Sequence, residues 1–114
     1  MAITFYHQSR KETVPILVRY ADGYSDAKTR TPLYIKKDRL VKNTIIKYKV
    51  GRSLSTNERN AIHDRNKALD ELKAKMDDIE HLIVDAINKL QGKTKITSEW
   101  LKMVVNQTNR LYLK

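Results

Sequence analysis

The chain contains no cysteine. That excludes a disulfide scaffold, a thiolate zinc site and a thiol nucleophile, and it suits a reducing compartment. Three glycines and two prolines are too few for a collagen-like or low-complexity chain. No apolar run approaches the roughly 18 residues a membrane span needs. The start, Met1-Ala2-Ile3-Thr4-Phe5-Tyr6, lacks the basic segment and long apolar stretch of a signal peptide. Acidic residues are outnumbered, 13 against 23 Lys and Arg, which leaves a net charge of +10 on 114 residues. These features describe a soluble, intracellular, strongly basic domain with a real but modest core.

The charge is uneven. Residues 1–52 hold 12 basic and 4 acidic side chains, a balance of +8, whereas residues 53–114 hold 11 and 9. Such a surplus exceeds what solubility requires and points to a polyanionic partner met by the N-terminal half.

Catalytic and metal-binding constellations are missing. His7, His63 and His81 lie far apart, with no pair at ligand spacing on one helical face. Asp77, Asp78 and Glu80 lack the glycine and ligand spacing of a calcium loop and read as a solvated helix face. Neither a glycine-rich phosphate loop nor a Gly-x-Ser-x-Gly elbow is present. The expectation is a non-enzymatic domain with no cofactor, no metal and no small-molecule substrate.

Period-2 alternation predicts three strands joined by short links, an antiparallel meander. Ile3, Phe5 and His7 alternate with Thr4, Tyr6 and Gln8. Val14, Ile16, Val18 and Tyr20 share one face of a second strand, opposite Leu17 and Arg19. In a third, Thr29, Thr31, Leu33 and Ile35 oppose Lys28, Arg30, Tyr34 and Lys36. Ser9-Arg10-Lys11-Glu12 reads as the first loop. The second is the segment from Ala21 to Asp26, where Asp22-Gly23 favours positive backbone angles. Pro15 and Pro32 each remove a ladder donor, so they belong at a strand start or an outer edge. Residues 37–54 read as an irregular connection, with a short extra strand over Ile45–Val50.

Ser55-Thr56-Asn57-Glu58 is a capping box, with Ser55 bonding forward and Glu58 reaching back. Ile62, Leu69, Leu72, Met76, Ile79, Ile83, Ala86 and Leu90 then recur at helical spacing, and Gly92 supplies a stop. A helix over 57–90 would be about 50 Å long at 1.5 Å per residue. It should therefore break near Asn66 or overhang the sheet. Thr97 or Ser98 caps a shorter helix through Glu99, Trp100, Leu101, Val104 and Val105, with Trp100 anchoring it or serving an interface to a following domain. The fold class is α+β: a three-stranded antiparallel sheet packed on a long C-terminal helix, with a short additional helix. Residues 1–92 form the main domain, and 93–114 a linker and the start of a further region.

The apolar face, Ile3, Phe5, Val14, Ile16, Val18, Leu33 and Ile35, needs the helix. The opposite face carries Thr4, Tyr6, Gln8, Leu17, Arg19, Lys28, Arg30, Tyr34 and Lys36. Arg can pair with guanine and Gln with adenine in a major groove. Arg10, Lys11, Lys37, Arg39, Lys42, Lys47 and Lys49 are placed to meet phosphates. The candidate DNA-binding set is Arg10, Lys11, Arg19, Lys28, Arg30, Tyr34, Lys36 and Lys37, with Arg19 and Arg30 first for base contacts. Two alternatives compete with double-stranded DNA: helix-mediated dimerisation, since the apolar series allows pairing, and a sheet-based RNA-binding domain stacking bases on Tyr6 and Tyr34.

The order of elements resembles the N-terminal part of Bacteroidetes-type tyrosine recombinases, the integrases of phages and conjugative elements. The likeness runs through Val14-Pro15-Ile16-Leu17-Val18-Arg19-Tyr20 with its Asp-Gly turn, and Thr29-Arg30-Thr31-Pro32-Leu33-Tyr34-Ile35 leading to Lys37-Asp38-Arg39-Leu40. It closes with the charged helix and Ile96-Thr97-Ser98-Glu99-Trp100-Leu101, which looks like that family's entry to its core-binding region. The family often has Trp where Leu40 stands, and residues 41–54 depart from its pattern. The resemblance implies an arm-type DNA-binding domain, whose helix-backed sheet enters the major groove of accessory sites in a mobile element. It also implies a bacterial cytoplasmic setting and partnership with the other domains of a parent recombinase. That family's catalytic residues lie in a separate C-terminal domain, and none is assigned here.

Overall fold

The structure is a computed structural model that describes residues 2–90 and 95–112, with side chains for 3–90 and 95–107. Three strands, β1 (Ala2–Tyr6), β2 (Thr13–Ala21) and β3 (Asp26–Lys36), form an antiparallel sheet in the order β1-β2-β3. A 3-10 turn (Lys37–Arg39) leads to a minimal hairpin of β4 (Leu40–Val41) and β5 (Thr44–Ile45). Two helices follow, α1 (Thr56–Asn88) and α2 (Ser98–Tyr112). The expected α+β architecture is the observed one.

The core lies where strand parity puts it. Phe5, Val14, Ile16, Val18, Leu33 and Ile35 are buried, and Ile3 packs partly against them. Met76, Ile79 and Ile83 from α1 and Leu101, Val104 and Val105 from α2 complete one cluster, together with Leu40 and Ile96. The shorter helix lies closest to β3, while α1 packs on α2 and the cluster. Residues 96–105, expected beyond the main domain, thus supply part of its core, and Trp100 packs on the same cluster. Gly92 and the rest of 91–94, read as a stop and a boundary, fall outside the described residues.

Register explains why the two proline-bearing strands keep their faces. Pro15 pairs with Tyr34 and Leu17 with Arg30, so Ile16 alone stands opposite Thr31, Pro32 and Leu33. This bulge adds two residues to β3, and an even insertion preserves the side-chain alternation. Pro32 sits in the bulge of an edge strand, and Pro15 lies beyond the last β1 partner, Leu17. The missing donors therefore break no ladder on that side. Thr31 repairs the gap: its buried hydroxyl donates to Ile16 O at 2.7 Å and accepts from Leu33 N at 3.2 Å.

Each outer edge of the sheet has local hydrogen-bond partners from outside it, which hinders edge-to-edge pairing there. Beside β1, Asn43 N donates to Phe5 O at 2.9 Å, and Asn43 Oδ1 accepts from Phe5 N at 2.6 Å. Lys42 and Asn43 make the β4–β5 turn with φ of 34° and 65°. Two successive positive angles mark a hairpin turn of the kind Asn tolerates. Beside β3, Ser98 Oγ accepts from Lys28 N at 3.1 Å, and Ser25 Oγ accepts from Ile96 N at 2.8 Å.

Several local expectations change. The extra strand over Ile45–Val50 does not form: β5 ends at Ile45 and 46–54 is an irregular strap. Gly23 is not in the left-handed φ range; the β2–β3 turn is instead held by the Asp22 carboxylate, which accepts from Tyr24 N at 2.7 Å and from Ser25 N. The first strand stops at Tyr6, so His7 and Gln8 lie in the loop. Ser55 caps α1 by accepting from Glu58 N at 3.2 Å, but the Glu58 carboxylate receives the Ser55 hydroxyl at 3.1 Å and not its backbone N–H. Thr97 caps α2, its Oγ1 accepting from Trp100 N at 3.2 Å. The long helix does not break near Asn66. It overhangs, stretching the molecule to 58 Å against 30 and 21 Å in the other directions.

Candidate nucleic-acid interface

The polar face of the sheet is laid out in rows set by register. Thr4, Arg19 and Lys28 stand side by side across the three strands, as do Tyr6, Leu17 and Arg30. Tyr34 stands opposite Pro15 and Lys36 opposite Thr13. Arg19, Lys28, Arg30, Tyr34 and Lys36 are all exposed, Leu17 half-buried. The side chains that could read a base therefore cluster on the β2–β3 ribbon. A two-stranded ribbon is what a major groove about 12 Å wide admits, given about 4.8 Å between strands.

Arg19 is not loose. Its Nε donates to Asp26 Oδ1 at 2.9 Å and its Nη2 to Asp26 Oδ2 at 2.7 Å. The four-residue loop pairs Ala21 with Asp26 and Arg19 with Lys28, so Asp26 is the diagonal neighbour of Arg19. This two-point grip raises the guanidinium pKa and lowers that of the carboxyl, in both cases chiefly through the shared hydrogen bonds. It also leaves the Nη1–Nη2 edge of Arg19 open. Arg30 lies over the Tyr34 ring, 5.9 Å from its centroid, a cation–π contact along the strand.

Beyond the ribbon, Thr4, Tyr6, Gln8, Arg19, Lys28 and Lys42 line an open depression of about 580 Å³. It places the Gln8 amide beside the face although Gln8 is not in a strand. Arg10 and Lys37 meet at the far end, Lys37 Nζ donating to Arg10 O at 3.3 Å, and Lys37 N bonds Glu12 O at 3.0 Å. Lys11 is exposed in the same loop. The eight residues expected at the interface thus form a path: Arg19 and Lys28 at one end, Arg30 and Tyr34 in the middle, and Lys36, Lys37, Arg10 and Lys11 at the other.

Sequence reasoning missed Asp26 as the partner of Arg19, although the loop length fixes that diagonal. It also missed Arg65, Tyr48 and Asn66, which no periodicity links. Among the described residues, no group of three or more His, Asp or Glu side chains is placed to hold a metal ion, and no helix is long and apolar enough to cross a membrane. His63 and His81 are exposed on α1. In comparison with protein-family models, curated proteins and solved structures, the chain matches none of them.

Proposed function

We propose that this domain is a double-stranded DNA-binding module that sets the β2–β3 ribbon in the major groove. The observation that carries the reading is the two-sided sheet: Arg19, Lys28, Arg30, Tyr34 and Lys36 are exposed on one face while the other is sealed into the core. Arg19 and Arg30 contact base edges, guanine O6 and N7 being the natural match for a guanidinium. Arg10, Lys11, Lys28, Lys36 and Lys37 meet phosphates and fix the register. Asp26 and Tyr34 hold the two arginines in place before the DNA arrives, which lowers the ordering cost of binding.

The element order and the motifs from Val14 to Leu40 support a more specific form of the proposal: an arm-site module of a tyrosine recombinase of a mobile element. In that setting the domain is non-catalytic and acts in the bacterial cytoplasm beside the other domains of its parent enzyme.

The test is duplex binding as a function of salt. Affinity should fall with a log–log slope of about −0.9 per neutralised phosphate. Arg30→Ala should lower affinity for a selected sequence more than for a scrambled one. Equal losses on both would remove Arg30 from base reading, and a preference for single-stranded RNA would favour the stacking alternative.

A further inference from the structure

The basic sheet face continues around the end of β3 into a groove between the strap and the overhanging half of α1. This depression, about 480 Å³, is lined by Tyr34, Lys36, Arg39, Tyr48, Arg65 and Lys75, with Glu71 the acid among its walls. Two of its residues, Tyr34 and Lys36, belong to the sheet face already described.

Two guanidinium groups converge on one ring there. Arg39 Cζ lies 3.8 Å and Arg65 Cζ 5.7 Å from the Tyr48 centroid. The ring attracts both, but two cations lining one depression also repel each other. An anion in the groove would relieve that repulsion.

The arrangement is built, not a by-product of a loose loop. Tyr48 is clamped to α1 through its backbone: Tyr48 N donates to Asn66 Oδ1 at 2.8 Å and Asn66 Nδ2 to Tyr48 O at 3.0 Å. Lys47 Nζ reaches Asp70 at 2.5 Å, and Arg59 Nη2 donates to Arg52 O at 2.8 Å. The Asn66 and Arg59 ties are made by the part of α1 that leaves the domain, and Asp70 lies just inside it. From Thr56 to Ala68 that helix adds nothing to the core cluster, whose first α1 member is Leu69. Core packing therefore does not explain the overhang, whereas holding the strap does.

We infer that the groove formed by Arg39, Tyr48 and Arg65 is a second phosphate-contacting site, which grips the DNA backbone flanking the segment read by the sheet. This rests on the DNA-binding reading and extends it. The contact is with phosphodiester oxygens and reads no bases, so it adds affinity uniformly across sequences. The strap thus turns the domain from a ribbon laid in one groove into a two-point holder.

The experiment uses the full chain and a mixed-sequence DNA duplex, titrated over a range of salt concentrations. Arg65→Ala should bind several-fold more weakly, with the salt slope reduced in magnitude by about 0.9, one phosphate contact. Arg65→Lys should restore most of the slope. Lys73→Ala serves as the control, since Lys73 is paired with Asp77 at 3.0 Å and lines a separate depression; it should behave as the unaltered protein. Arg65 is exposed on the overhang, and an unchanged thermal melt would confirm that the variants fold. If Arg65→Ala keeps the full slope while Arg30→Ala weakens binding, the second site is wrong and the sheet reading stands. If the unaltered protein binds no duplex, both fall. A loss confined to single-stranded RNA would also overturn the site as stated.

Discussion

Asp26 grips Arg19 with both carboxylate oxygens, at 2.9 and 2.7 Å, across the diagonal of the β2–β3 hairpin. Both side chains are about half exposed, at 48% and 53%. A pair in that setting adds about 0–1 kcal/mol to stability. Its consequence is orientation, because the carboxylate fixes one edge of the guanidinium and turns the other outward.

Asp26→Asn should therefore leave the unfolding midpoint almost unchanged but blur sequence discrimination. Removing a negative charge beside a basic face raises attraction to any duplex, so affinity for scrambled DNA should rise. Affinity for a selected site should rise less or fall. Parallel titrations of the two duplexes measure the ratio.

Thr31→Val is nearly isosteric yet should destabilise strongly. It leaves Ile16 O and Leu33 N without the hydroxyl that satisfies them. Each buried backbone group left unpaired costs about 1–3 kcal/mol. Thr31→Ser keeps the hydroxyl and should cost less, and urea unfolding of the two variants gives the order.

Asn43 covers the outer edge of β1 from a residue with φ of 65°. Asn43→Gly keeps the conformation and loses the side-chain bond, whereas Asn43→Ala loses the bond and adds about 1–2 kcal/mol of backbone strain. Alanine should thus be the more destabilising. Both variants bare part of the edge and should show concentration-dependent association in sedimentation.

Tyr20 donates its hydroxyl to Asp22 at 2.6 Å. That bond, with burial and the nearby carboxylate charge, pushes the phenol up to about 12. Unfolded, it titrates near its ordinary value of about 10. The folded state holds this proton more tightly, so the contribution is complete below pH about 10 and fades as pH rises through about 12. Asp22 and Asp26 are shifted down, first by the bonds from Tyr20 and Arg19 respectively, so their contribution fades as pH falls below the carboxylate range. The contributions of these three groups should be flat between these limits, and Tyr20→Phe should remove the Tyr20 share of the alkaline loss in urea unfolding across pH.

Much of this architecture was legible because alternation in a strand needs only local sequence. Parity placed Arg19, Lys28, Arg30, Tyr34 and Lys36 on one face, and it survived the Thr31–Leu33 bulge only because that insertion is even. A one-residue bulge would have turned Tyr34 and Lys36 into the core. The strap was illegible because its position depends on a side-chain clamp from Asn66, a long-range bond with no periodic signature. Length alone left α1 two options, a break near Asn66 or an overhang, and it could not choose between them. The helix overhangs, and the Asn66 amide serves the strap while its backbone continues the helix. Asp26 was hidden for another reason: alternation assigns faces, whereas the grip on Arg19 is a diagonal that appears only once the register is fixed.

Backbone amide shifts of the full chain, followed while duplex DNA is added at low salt, test the use of the sheet most directly. The perturbed amides should map to the β2–β3 ribbon around Arg19, Lys28, Arg30, Tyr34 and Lys36 and to the loop bearing Arg10 and Lys11. Saturable binding that leaves those amides unmoved and perturbs only α1 and α2 would contradict it.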